Sequence, residues 1–366
     1  MSEARGELPL EGVRVLEIGG GVAAGFATRW LAGFGADVVR SEGPEGLLTA
    51  DEEVYLVAGK RRVSVSDAEL RQLALAADIV VEDTKPGTLA ERGLGPEDLR
   101  REKPELIVVS ITPFGQNGPY AEFEHTNLTT HAMGGIMSLT GISTRPPLVN
   151  GGNQAYQLGG LNGFSAAVTA YYGRLVHGEG DWIDISMQEC AAGMLELFGP
   201  RTEYEGGEPY VRAGNHISAT WGIYPCADGY VGVCCLARQV PALFRVVGDP
   251  ELQDERFTDP LKRLENDDEL QARLFAWFAD KTKAEILALG PKHRIPFGAV
   301  LTPKELLDNV QLNERSFFDE IALPGGQVAK APGRPFLGFG WRPADRLHAP
   351  GEDTAAVLGE WLGVQA

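Results

Sequence analysis

The chain is short of basic charge. Its 366 residues carry 33 Lys and Arg against 51 Asp and Glu, a net charge of −18. A surface of that sign repels a nucleic-acid duplex or an anionic membrane, so neither is an expected partner. Cysteine is scarce too. Cys190, Cys226, Cys234 and Cys235 form no C-x-x-C pair and no Cys/His ligand spacing. Neither a metal site nor a disulfide framework is suggested, and free thiols of a cytosolic protein are the expectation. No apolar run reaches the ~18 residues a membrane helix needs. The opening "MSEARGELPL" lacks the basic-then-apolar order of a signal peptide, so a cytoplasmic location is expected. Internal repeats and low-complexity tracts are absent. What the chain does have is 43% hydrophobic and 23% charged residues, a globular composition rather than a disordered one.

Its length suggests two domains, or one with a large insertion. The first hundred residues alternate in type. "VRVLEIG" (13–19) reads as a buried strand, "AAGFATRWLAGFG" (23–35) as a helix ended by glycine, and "ADVVRSE" (36–42) as a second strand. Strand, helix and strand in about thirty residues make a βαβ unit and a parallel sheet. The alternation continues with a helix at 67–77, a strand at 78–82, a helix at 96–104 and a strand at 105–111. Near-continuous apolar strands suit a sheet covered on both faces. From 127 to 198 the pattern is mostly helical, interrupted by "WIDIS" (182–186). At 221 it changes: "WGIYPCADGYVGVCCL" has two apolar stretches around Asp228-Gly229, a hairpin signal. A helix at 267–281 puts Leu270, Leu274 and Trp277 on one face. These observations predict an α/β chain. A large Rossmann-like domain takes 1–200 and is completed by 321–366, whose end is helical. A linker spans 201–219, and a small α+β domain 220–320.

"GGGVAA" (19–24) follows a strand and opens a helix. Gly19, Gly21 and Ala24 fit G-x-G-x-x-G/A, and Glu42 stands where a ribose-binding acid would. Two readings are open: a dinucleotide-phosphate loop, or glycines that only permit a tight strand-to-helix turn.

Several segments in order carry a further resemblance. "LEGVRVLEIG" with "FATRWLAGFGADVVRSEGPEG", "VEDTKPGTLAERGLGPEDL", "ITPFGQNGPY", "HAMGGIMSLTG", "HGEGDWIDISM", and then "RAGN", "YPCADGYV" and "IPFGAV" resemble the family III CoA-transferases, the CaiB/BaiF group that includes the α-methylacyl-CoA racemases. The resemblance covers nearly the whole chain. It implies two chains interlocked as a dimer, acyl-CoA and a carboxylic acid as substrates, coenzyme A held on the large domain, and no tightly bound cofactor. It also implies that the first loop is fold architecture rather than an NAD site.

The positions matching the family's CoA contacts are Arg40, the run Lys60-Arg61-Arg62, and Lys85. The 3′-phosphate and diphosphate of CoA need charge-assisted donors. The alternative for the run is a solvated charge cluster before a strand. Asp83 and Thr84 depart from the family's Asn-Phe, and a carboxylate at 83 opposes an anionic ligand.

The implied transferase mechanism needs an aspartate to attack the thioester. Ungapped from "AYQLGGLNGFSAAV" to "GEGDWIDIS", the family's aspartate falls on Tyr156. A slip of two residues reaches only Gln154 or Leu158. Tyrosine, with a reference pKa near ~10, is about 0.1% phenolate at neutral pH, and an aryl ester does not reproduce anhydride exchange. The racemase branch pairs that aspartate with a histidine whose position here is Thr126. His125 is one residue away. His131 reads as helix filler. Asp184 and Glu189 match no catalytic position.

The chain is therefore expected to be a subunit of a CoA-transferase, lacking its aspartate and paired with a paralogue that keeps it. The alternatives are a self-sufficient acyl-CoA racemase or isomerase using His125, Asp184 or Glu189; a non-catalytic CoA-ester-binding protein; and an NAD-dependent oxidoreductase.

Overall fold

The computed structural model describes residues 8–43, 47–195, 198–204, 206 and 211–364. The last three residues of "FATRWLAGFGADVVRSEGPEG" and part of the expected 201–219 linker lie outside them. The chain forms two compact units, one of residues 1–138, 149–208 and 310–366, the other of 139–148 and 209–309. The stretch 139–148, part of the expected large domain, goes with the second unit. Its backbone is tied to the chain just ahead of the hairpin: Ser143 donates to Arg212 O at 3.1 Å and Gly214 to Gly141 O at 3.0 Å.

In the first unit the elements run β1 (Arg14–Ile18), α1 (Val22–Gly33), β2 (Asp37–Ser41), α2 (Ala50–Val57), β3 (Arg61–Val63), α3 (Asp67–Ala76), β4 (Ile79–Glu82), α4 (Thr88–Glu91), α5 (Pro96–Glu102), β5 (Ile107–Thr112), α6 (Asn127–Met133), α7 (Gln154–His177), β6 (Trp182–Ser186) and α8 (Met187–Ala192). Local chemistry sets several starts. Thr49 with Glu52, and Ser66 with Glu69, form capping boxes that satisfy the first amides of α2 and α3.

The six strands are parallel, in the order β3-β2-β1-β4-β5-β6. This is the doubly wound Rossmann-like sheet that the alternation predicts. Successive strand residues face opposite sides. Val15, Val38, Val81 and Val109 pack under α1 and α7, while Leu16, Val39, Val80 and Val108 pack against α3 and the chain's last helix. The strand order reverses between β1 and β4. Ligands of such sheets bind outside the carboxyl ends of the strands at that reversal.

The 24-residue α7 comes close to α1 and β5 through glycines. A methyl group on Gly160 would overlap the carbonyl of Ala23, and one on Gly163 would overlap Ile111. Close approach here brings the first turn of α7 over the carboxyl edge of the sheet.

The second unit holds an antiparallel sheet of β7 (His216–Ser218), β8 (Trp221–Cys226), β9 (Gly229–Cys234) and β10 (Phe297–Ala299), ordered β10-β9-β8-β7. Asp228-Gly229 makes the expected hairpin. Tyr224, Phe257, Leu274 and Phe278 form the core with the helices of this unit. The tail returns to the first unit. It forms the hairpin β11 (Phe318–Ala322) and β12 (Val328–Pro332), and then the helix Thr354–Leu362, whose Val357 and Trp361 join Leu70 and Leu73 in the core.

Candidate functional site

The glycine loop after β1 is closed around one of the chain's own carboxylates. Asp83, just beyond β4, accepts hydrogen bonds from the backbone of Gly21 at 3.1 Å and Ala24 at 3.0 Å. These are the amides at the start of α1 on which a dinucleotide's phosphates would rest. A methyl group on Gly19 or Gly21 would overlap the Asp83 carboxylate, and Gly19 has φ +101°. The glycines therefore make room for a side chain. Burial pushes the Asp83 carboxyl up to about 6, with the two amides partly offsetting it. Its role was missed in the sequence, where it registered only as a charge opposed to CoA.

Behind the loop lies a buried charge cluster. Glu17 and Arg40 are register partners on β1 and β2 and form an ion pair. Lys60 donates to Glu17 at 2.8 Å, to Thr28 at 2.7 Å and to the Gly25 carbonyl at 2.9 Å. Burial alone would raise the Glu17 carboxyl, but Lys60 and Arg40 hold it down at about 2. Burial lowers the Lys60 ammonium, with Glu17 opposing.

The cations expected to meet the phosphates of CoA are engaged within the fold. Lys60 is 0% exposed and Arg40 only 4%. Arg40 also holds the Gly20 carbonyl at 2.7 Å, so it shapes the loop from inside. Arg61 pairs with Asp37 and Glu360, and Arg62 with Glu42 at 2.7 and 2.8 Å. Arg61 and Arg62 open strand β3 and Lys60 directly precedes it, buried rather than solvated. These cations neutralise the chain's own acids.

A cavity of about 640 Å³ lies at the carboxyl edge of the sheet, at the β1/β4 reversal. Ile18, Gly19 and Gly21 line it from the first loop, Ser41 and Glu42 from the end of β2, and Asp83, Thr84 and Lys85 from the end of β4. Thr88, Arg92, His125 and Tyr156 complete its polar lining. Lys85 is half exposed and lies 3.5 Å from Glu124 and 3.7 Å from Glu122. Of the five expected CoA contacts, it alone lines this cavity.

The cavity brings together Tyr156 and His125. Tyr156 stands in the first turn of α7, and its hydroxyl lies 3.2 Å from His125 Nδ1. Desolvation lowers the imidazole's pKa, with Glu124 opposing. Burial raises the phenol's, and the charge on Asp83 raises it further. A neutral imidazole beside a protonated phenol is a proton-transfer and hydrogen-bonding pair, not a nucleophile. Thr126, at the racemase histidine position, caps α6. His131 is buried within α6. Asp184 accepts from the Gln116 backbone at 2.9 Å, and Ser186 accepts from the Glu189 backbone at 3.2 Å; neither acid lines the cavity.

Fold and site together define a doubly wound unit with a cavity at its strand-order reversal, and a second, α+β unit. The chain belongs to CoA-transferase family III, whose sequence pattern matches residues 10–354. It is 31% identical to the succinyl-CoA--D-citramalate CoA-transferase of Chloroflexus aurantiacus, over 84% of this chain and 82% of that one. It is 29% identical to the succinate--glutarate CoA-transferase of Agrobacterium fabrum, over 96% and 95%. Subunit BbsE of the succinyl-CoA:(R)-benzylsuccinate CoA-transferase of Thauera aromatica is 28% identical, over 92% and 90%. Among solved structures, a CaiB/BaiF family protein from Brucella suis matches with a TM-score of 0.87 and 29% identity, covering 97% of this chain and all of that one.

Proposed function

We propose that the chain is one subunit of a heteromeric CoA-transferase, moving CoA between an acyl-CoA and a carboxylic acid, and that it is the subunit without the nucleophilic aspartate. The observation that carries this is Tyr156. It stands in the first turn of α7 and lines a well-formed cavity at the ligand-binding edge of the sheet. A partly buried phenol there gives no nucleophile at neutral pH. The similarity to a protein named as a transferase subunit points the same way. In this reading two chains interlock, and a paralogue with aspartate at the matching position forms the mixed anhydride. CoA enters the cavity with its phosphates toward Lys85 and Arg92, and the protein works in the cytoplasm without a tightly bound cofactor.

The test is activity of the purified chain with succinyl-CoA and a panel of carboxylic acids, alone and after co-expression with an aspartate-bearing paralogue. Turnover only in the mixture supports the proposal, and robust turnover by the chain alone refutes it.

A second reading, a self-sufficient acyl-CoA enzyme of the isomerase kind, is favoured by the contact between His125 and Tyr156 beside Asp83. Loss of such an activity in His125→Ala would select it. The NAD reading loses its phosphate site, because Asp83 takes the amides it requires.

A further inference from the structure

Glu42 is the part of the glycine fingerprint left without a role once Asp83 has filled the first loop. It directly follows β2 and lines the cavity, at the place where a doubly wound unit offers an acid to a ribose hydroxyl. Its backbone and side chain are both fixed. The Glu42 amide donates to the Val63 carbonyl at 3.0 Å, and Arg62 donates to the two carboxylate oxygens at 2.7 and 2.8 Å. A carboxylate held in this way is a preorganised hydrogen-bond acceptor.

The same end of the cavity is poor in donors for a phosphate. Where such a fold binds a ribose phosphate, a nearby arginine receives it. Arg40 instead pairs with Glu17 and the Gly20 carbonyl and lies buried. Arg62 directs its donors to Glu42, Glu53 and the His348 carbonyl. Neither lines the cavity. Among the described residues, the charged side chains of the lining are the cations Lys85 and Arg92 and the acids Glu42 and Asp83. Both cations already meet acids, Lys85 beside Glu122 and Glu124 and Arg92 on Asp67. A diphosphate can take the place of those exposed acids. The 3′-phosphate of CoA adds a further charge of about −1.5 to −2. On a ribose received by Glu42 it would face a like charge.

We propose that the cavity takes thioesters of 3′-dephospho-CoA in preference to those of CoA, with Glu42 accepting a hydrogen bond from the ribose diol and turning away a 3′-phosphate. The inference deepens the acyl-CoA reading above and rests on it. The selectivity has an attractive and a repulsive part. A free ribose hydroxyl donates to the carboxylate in a charge-assisted bond. A phosphate in its place brings an anion against an anion. The diphosphate stays with Lys85 and Arg92, and the thioester arm runs toward His125 and Tyr156. Glu42 determines specificity and takes no part in the transfer itself.

The experiment titrates the purified full chain by calorimetry at neutral pH with CoA, 3′-dephospho-CoA and 4′-phosphopantetheine. The expected result is binding of 3′-dephospho-CoA ~10-fold or more tighter than CoA, the scale of one hydrogen bond to a charged group. The 4′-phosphopantetheine, which lacks the ribose, should bind more weakly than 3′-dephospho-CoA. Glu42→Gln should narrow the preference by about 10-fold, weakening 3′-dephospho-CoA and strengthening CoA. CoA binding as tightly as 3′-dephospho-CoA, or more tightly, overturns this inference and leaves the acyl-CoA reading standing. An unchanged preference in Glu42→Gln, or 4′-phosphopantetheine binding as well as 3′-dephospho-CoA, also overturns it. Absence of binding by all three overturns both. Should Glu42→Gln fail to fold, because Arg62 loses its partner, the wild-type ranking of the three ligands decides.

Discussion

The carboxylate of Asp83 accepts a hydrogen bond from the backbone of Ala24 at 3.0 Å. A side chain beyond β4 thus occupies the start of α1, the place where a glycine fingerprint would lead one to expect a phosphate. Calorimetric titration with NAD should give no heat of binding, while CoA or an acyl-CoA should bind. Tight NAD binding would contradict the filled loop.

Gly21→Ala sets a methyl group against that carboxylate. We expect it to destabilise the first unit by about 1–3 kcal/mol, the usual cost of overpacking. Urea unfolding should show the loss, and Gly21→Ala combined with Asp83→Ala should recover part of it.

Glu17 is the counter-ion of Arg40 and Lys60, all buried. Glu17→Gln leaves two cations facing an amide and should cost about 3–5 kcal/mol, the penalty for breaking a buried ion pair. Its folded carboxyl titrates at about 2, below its ordinary 4.5. The stability it supplies is therefore present above pH 4.5 and lost as pH falls through 2. Chemical denaturation across that window should show the acid-induced loss in wild type and a smaller one in Glu17→Gln.

Lys85 and Arg92 are the exposed cations of the cavity lining, since Arg40 and Lys60 lie buried behind it. Removing a charge-assisted phosphate contact costs about 1.5–3 kcal/mol, roughly 10- to 150-fold in affinity. Lys85→Ala should weaken CoA binding on that scale, and rising salt should weaken wild-type binding. Arg61→Ala should leave CoA affinity unchanged, because its guanidinium is held by Asp37 and Glu360 outside the cavity.

Much of the first unit was legible because its strands are buried on both faces. "VRVLEIG", "DIVVE" and "ELIVVSI" are apolar runs with helices between them, and that pattern has one common solution. The Asp228-Gly229 hairpin was legible from its turn chemistry. The fate of the basic run was not. Lys60 pairs with Glu17 across 43 residues of sequence, and nothing in "AGKRRVSVSD" shows whether its charges face water or an acid brought in by the sheet. The tail hairpin β11–β12 was hidden for a related reason: its Gly- and Pro-rich surroundings look like loop until tertiary contacts fix them. His125 and Tyr156 are 31 residues apart, and only the packing of α6 and α7 makes them neighbours.

Under the proposed function no carboxylate of this chain, Asp83 and Glu42 of the cavity lining included, accepts an acyl group. Intact-protein mass spectrometry after incubation with succinyl-CoA tests it most directly, on the chain alone and mixed with an aspartate-bearing paralogue. The expected result is an unmodified mass for this chain in both samples and a covalent adduct on the partner. A succinyl or CoA adduct on this chain, mapped to one of its own carboxylates, would contradict it.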